Sequence, residues 1–249
     1  MGRQRLQKAI TAFVDRDTRR RVEVEWKPFI IDPGTDPKGE TVEEYCNRRW
    51  GDSGWTEHLK AEGQKEDGGA HFANWKWWPN TNKAHQLVEY CRRSNNNNTN
   101  ITTNRKSHID GDDDALASTI ISTDRVNELL FHYEYEQGEN ISLVDVLLRI
   151  GKDAGIDNMV DLEQYLSHDM GKIEVERDIT RGRNQYGISS VPYFIIAPPS
   201  PVPFSSSDDN DNAAAAGSRL RPYGLSGAQS STTFLDIFEE LMNANTQMN

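Results

Sequence analysis

A proline stands at the mouth of the most strand-like run in the chain: Pro192 in "YGISSVPYFII", Tyr186 to Ile196. Proline has no N–H to give to a ladder, so it fits a sheet only at an edge, at a bulge or as a strand's first residue. Any sheet that takes in Tyr193–Ile196 must therefore begin, bend or end at this point. A second apolar run, "LRPYGLSGA" from Leu220 to Ala228, reads as another strand. With a long polar segment between them, the two are expected to pair antiparallel.

Helical periodicity dominates the rest. "LQKAITAFV" places Leu6, Ile10, Phe13 and Val14 at helical spacing. "VEVEW" then alternates Val22, Val24 and Trp26 with Glu23 and Glu25, the period of a half-buried strand, which is expected to continue through "PFII". Farther on, "NTNKAHQLVEYCRR" opens on Asn80 and Thr81 as cap residues and carries Ala84, Leu87, Val88 and Cys91 on one face. "VNELLFHYEYEQG" repeats the pattern with Val126, Leu129, Leu130 and Tyr133, and Ser142 with Asp145 three residues later looks like a capping box. One or two more helices run to Gly187, a residue suited to a left-handed helix end. "STTFLDIFEELM" closes the chain with Phe234, Ile237, Phe238 and Leu241 on one face. The expected order is helix, strand, helical block, strand, strand, helix.

Two tracts, 94–115 and 198–218, are polar or rich in proline, alanine and serine, and are expected to be disordered inserts, because they bury too little to offset their ordering entropy. The remaining residues can build a real core, with 35% of the chain hydrophobic and 27% charged. A net charge of -11 supplies no electrostatic footprint for nucleic acid or for an anionic membrane surface. No apolar run reaches the roughly 18 residues of a membrane span, and the N-terminus lacks the apolar region of a secretory signal. Cys46 and Cys91 are too few for a disulfide scaffold and far from Cys-x-x-Cys spacing, so the expected compartment is reducing and cytoplasmic. Cys91 lies on the apolar helix face as a packed thiol, whereas Cys46 is the one that could be exposed and titratable. The cluster "NWKWWPN", with Trp75, Trp77 and Trp78, is expected to pack between domains rather than stack on a ligand. No metal-site spacing of histidine and carboxylate occurs, and no nucleotide-binding or serine-hydrolase motif.

Three motifs in order, "PNTNKAH", "YGISSVPYFI" and "GLSGAQ", together resemble the DsbA-like thioredoxin-fold family. They are most similar to its FrnE-like branch, related to 2-hydroxychromene-2-carboxylate isomerase, where an Asn-Thr-x-x-Ala-His helix start, a Val-Pro-Phe-Phe type loop and a Ser-Gly-Ala-Gln segment recur. "VEVEWKPFIIDP" resembles that family's second strand and "GENISLVDVLLRIGKDAGID" its helical domain.

The resemblance implies an α/β, thioredoxin-like fold with an inserted helical domain: residues 1–40 and 186–249 forming the core, 41–185 the insertion. Family members begin with a strand and a Cys-x-x-Cys pair ahead of a helix resembling "GRQRLQKAI", where this chain starts. It implies that the first β-strand and both active-site thiols are missing from the chain, that no residue present is catalytic, and that the domain is inactive in thiol–disulfide exchange as it stands. Val191 would offer backbone to a thiol-containing peptide or to glutathione, and Pro192 would be a cis proline. The resemblance implies that Asn80, Thr81 and His85 line the facing pocket, whereas the residues themselves read first as two cap residues and a histidine on a helix face. No metal or other cofactor is implied, and the functional alternatives are a redox-inactive peptide-binding module or a glutathione-dependent isomerase relative. An absent central strand would leave two unpaired edges roughly 10 Å apart, inviting a strand-donating partner or self-association.

Overall fold

The computed structural model describes residues 1–66, 71–105, 121–198 and 222–246. In chain order these form α1 (Gly2–Asp15), β1 (Glu40–Thr41), α2 (Val42–Trp50), α3 (Trp55–Gln64), β2 (Trp77–Trp78), α4 (Asn82–Arg105) and α5 (Thr123–Phe131). A π-helical turn (His132–Glu136) follows, then α6 (Val144–Asp153), α7 (Met159–Ser167), α8 (Lys172–Tyr186), β3 (Tyr193–Ile196), β4 (Tyr223–Ser226) and α9 (Ser231–Thr246). The protein is mixed α/β, mostly helical, with few and short strands. Among the described residues no helix is long and apolar enough to cross a membrane.

The chain divides into two compact units, residues 1–24 with 188–249, and residues 25–187. The division falls at 24 and 187 rather than at 40 and 185. Residues 26–40 belong with the helices because their side chains and carbonyls are bonded there: Trp26 Nε1 donates to Asp124, Phe29 O meets His85, and Arg183 donates to Ile30 O.

In the first unit, α1 buries Gly2, Leu6, Ala9 and Phe13, one stripe at helical spacing. Against this stripe lie Phe234 and Phe238 of α9, while Phe194, Ile196 and Leu225 bring one face of the strand pair to the same core. Strands β3 and β4 are antiparallel as expected, with Tyr193 opposite Ser226 and Ile196 opposite Tyr223. Arg16 and Arg20 share Glu239 at 2.7 and 2.6 Å, and the Arg20 guanidinium lies over the Phe13 ring at 4.6 Å.

The strand expected over Val22–Trp26 and "PFII" is absent: residues 21–30 form neither strand nor helix. Val22 still packs on the core, but among the described residues no neighbour offers a ladder, and alternation of side chains cannot make a strand without one. A thioredoxin-like sheet is therefore not assembled from these residues.

The second unit has its own core, built by α4–α7 with Leu87, Cys91, Val126, Leu147, Ile150, Leu162 and Leu166 at its centre. Helix α4 continues to Arg105, so the tract expected to be loop from Ser94 is helical over its first part. The remainder of that tract and residues 199–218 lie outside the described residues. Ser142 is not a cap: α6 starts at Val144 after Leu143, and the Ser142 hydroxyl accepts from Asn80 N instead. A capping box does occur at α2, where Thr41 Oγ1 accepts from Glu44 N and the Glu44 carboxylate accepts from Thr41 N. The tryptophans expected between domains make their ring contacts within this unit. Trp78 stacks on Tyr45 at 3.9 Å, with Trp50 and Trp55 edge-on and Trp75 next to Phe72 and Tyr135.

Candidate functional site

The proline loop belongs to the first unit. The Val191–Pro192 peptide bond is cis, as the resemblance implies. Pro192 O accepts from Gly227 N at 2.8 Å, which carries the β3–β4 pairing one residue beyond the strands. The first turn of α1 is seated on this loop: a methyl group built at Gly2 would meet Pro192 Cγ at 3.2 Å and Phe194 Cζ at 3.3 Å. A side chain at this position would require the proline or the phenylalanine ring to give by a few tenths of an ångström.

"GLSGAQS" forms the other wall. Gly227 has φ of 83°, a left-handed turn that ends β4. Ala228 O then accepts from Arg5 Nη1 at 2.7 Å, which ties the turn to α1. Gln229 Nε2 donates to Ser226 O at 2.6 Å, and Ser230 Oγ accepts from Thr233 N at 3.0 Å as the cap of α9. Ser190 and Ser226 hydroxyls meet at 3.3 Å. Val191 remains 42% exposed at the surface of this arrangement. The loop thus offers exposed backbone, an apolar side chain and hydroxyls, which suits docking of an extended chain and supplies no acid, base or nucleophile of its own.

Asn80, Thr81 and His85 come together in the second unit, at the start of α4. Asn80 is a junction. Its Oδ1 accepts from Asn82 N, its Nδ2 donates to Thr35 O at 3.0 Å, and its backbone N–H donates to Ser142 Oγ at 2.8 Å. The 32–40 loop is thereby fastened to α4 and to the start of α6, with Asn140 Nδ2 adding a bond to Lys38 O at 2.7 Å. His85 Nε2 lies 3.1 Å from Phe29 O and 3.3 Å from Thr81 Oγ1. Desolvation pushes its imidazole down to about 4, opposed by the bond to Phe29. The ring is thus neutral at physiological pH, and Nε2–H is the tautomer that satisfies the Phe29 carbonyl. All three residues are occupied in holding structure.

Beside them opens a cleft of about 910 Å³ lined by Thr35, Asp36, Glu40, Arg48 and Asn80 among others. Within it Arg48 forks onto Glu40 at 2.8 and 2.7 Å, which lowers the Glu40 carboxyl, and Thr41 donates to Glu44, whose carboxyl is lowered as well.

Neither cysteine is positioned for exchange. Cys46, expected as the more exposed one, is fully buried on the inner face of α2, and burial raises its thiol. Cys91 is fully buried in the α4–α7 core, with its thiol pushed up to about 12. Both are free thiols. Among the described residues no group of His, Cys, Asp and Glu could hold a metal ion.

Sequence reasoning missed the first-turn contact of α1 with Pro192. The cue lay in Gly2, a small residue at a helix start, which becomes informative only beside the loop it packs closely against. No protein-family model and no curated protein matches the chain.

Proposed function

We propose that this chain is a domain of the DsbA-like thiol–disulfide oxidoreductase family, FrnE-like branch, and that its residues supply the docking surface of such a domain without its reactive thiols. The observation that carries the reading is the seating of the first turn of α1 on Pro192 and Phe194. In that family this is where a helix-borne cysteine meets the proline loop, and the N-terminal end of a helix favours a thiolate. The Ser-Gly-Ala-Gln turn, bonded to Arg5 of the same helix, supports it further.

Exchange needs a thiolate that attacks a disulfide sulfur, forms a mixed disulfide and expels the other sulfur as thiolate. Cys91, with its thiol pushed up to about 12, and the buried Cys46 do not supply that nucleophile at neutral pH. The chain's own contribution is to hold an extended, thiol-bearing peptide, or glutathione, along Val191 and the proline loop. This makes it a redox-inactive binding module on the residues given, within an oxidoreductase family.

Two assays on the full chain test the proposal. A fluorescein-labelled extended cysteine-containing peptide should bind saturably, glutathione should compete, and Val191→Asp should weaken binding tenfold or more. Insulin reduction by dithiothreitol should not be accelerated. Absence of binding, or binding indifferent to Val191→Asp, refutes the docking site. Insulin turnover that Cys46→Ser abolishes refutes the assignment of the thiols.

A further inference from the structure

Residues 71–76 are fastened to the π-helical turn His132–Glu136. The N–H groups of His71, Phe72 and Ala73 donate to the Glu136 carboxylate at 2.8, 3.2 and 3.4 Å, and that of Asn74 donates to Tyr135 O at 3.0 Å. Asn74 Nδ2 adds a bond to Gln137 O at 3.0 Å, and the Tyr135 ring lies against Phe72 and Trp75 at 4.9 and 5.5 Å. Phe72 is kept at φ of 52°, a left-handed conformation that a bulky side chain rarely holds unaided. The turn supplies the grip.

Glu134 stands in the middle of the same turn, 5% exposed. The charged groups of the segments that meet the turn are engaged elsewhere or exposed. Arg125 of α5 pairs with Glu128, Arg149 of α6 pairs with Glu139, and Asp153 of α6 accepts from Tyr133. His71, Lys76 and His132 are exposed. Among the described residues no cation pairs with Glu134, and the side chain bonded to it is Tyr135, whose hydroxyl burial holds neutral. An ionised carboxylate in this place would be both desolvated and unpaired, so the closed turn needs the proton.

We propose that Glu134 makes this turn a pH-operated clasp: protonated, it lets the turn stay closed on residues 71–76, and ionised, it drives the turn open. A π-turn carries one residue more than an α-turn, so a one-residue shift suffices, re-aiming Glu134 by about 100° and taking Tyr135 and Glu136 off the segment. In the open turn the carboxyl meets water and ionises near its ordinary value of about 4.3. In the closed turn desolvation holds it at about 8. Between these two pH values the open form alone releases its proton, so the ratio of open to closed rises tenfold per pH unit and levels off above about 8. The segment leads into β2, which pairs with β1 and thereby with Glu40 in the wall of the cleft, so opening frees one end of that support. The inference rests on the turn and its bonds, and stands whether or not the docking reading holds.

Native-state amide exchange of the full chain from about pH 5 to about pH 9, corrected for intrinsic rates, tests it. Protection of the Phe72, Ala73 and Asn74 amides should fall about tenfold per pH unit up to about 8 and no further, without responding to low urea, the mark of a local opening. In Glu134→Gln, which cannot ionise, the same protection should be level across the range. Glu136→Gln should lower protection at every pH and keep the slope, which separates the grip from the trigger. The slope and the urea response are read on the unmodified chain and do not depend on a variant folding. Protection that ignores pH, a slope that survives Glu134→Gln, or exchange that follows urea as the core amides of Leu147 and Ile150 do would overturn the clasp.

Discussion

Glu134 and His85 titrate far from their ordinary ranges, in opposite directions. Glu134, buried in the π-helical turn, has its carboxyl raised to about 8 by desolvation, and a bond with Tyr135 offsets only part of this. In the unfolded chain the same carboxyl ionises near 4.3, so between that pH and about 8 the folded form holds a proton that the unfolded form has released. Stability from this group is complete at low pH and falls as pH rises through that window, by an amount on the order of a few kcal/mol. Glu134→Gln should accordingly raise the melting temperature at pH 8 and change it little at pH 4, as thermal melts across that range will show. His85 has the reverse slope. Its folded pKa of about 4 lies below the unfolded value near 6.5, so the stability tied to the neutral ring is present above 6.5 and lost as pH falls toward 4. Both residues were visible as letters, yet neither shift was legible. Desolvation depends on what packs over a side chain, and in "FHYEYEQ" the other acid, Glu136, accepts from the N–H groups of His71 and Phe72 while Glu134 is buried.

At the scale of elements, the helices and the β3–β4 pair were largely legible, and the strand expected after α1 was not realised. The stripe Leu6, Phe13 in α1, the face Ala84, Leu87, Cys91 in α4 and the set Phe234, Phe238 in α9 all point where their spacing says. A helix satisfies its backbone within itself, so its pattern needs no partner to be realised. A strand does need one, and "VEVEW" alternates yet stays out of any ladder. Helix α2 lay unread although "TVEE" announces it, because only its capping box and not its apolar face is distinctive. Among the described residues of the first unit Phe234 is the largest fully buried side chain, edge-on to Phe194 at 4.8 Å. Phe234→Ala should cost about 3–5 kcal/mol by loss of contacts and cavity formation, measurable as a lower midpoint in urea. It should also loosen β3, since Phe194 loses the ring that it rests on. A midpoint shifted by less than about 1 kcal/mol would show the core there to be fluid, contrary to close packing.

On the scale of the whole molecule, the two units differ in kind. Residues 25–187 are contiguous and enclose an all-helical core, whereas the first unit is assembled from both ends of the chain. A fragment of residues 25–187 should therefore fold by itself and melt cooperatively, with the near-ultraviolet signal of its stacked Tyr45–Trp78 pair intact. A fragment with helical far-ultraviolet but no near-ultraviolet signal would refute its independence. Of the residues read as one binding region, Val191 and Pro192 fall in one unit and Asn80, Thr81 and His85 in the other. The local chemistry of each set was readable: a proline at the head of a strand, cap residues at the head of a helix.

The sequence by itself determined most of the helices, the antiparallel β3–β4 pair and the position of its proline, because spacing and backbone chemistry are local properties. Only the tertiary structure decided that residues 22–31 form no strand, that Cys46 is buried, and that the start of α1 rests on Pro192. Each of these depends on groups distant in the chain, and an N–H, a sulfur or a glycine acquires its role from whatever folding brings against it.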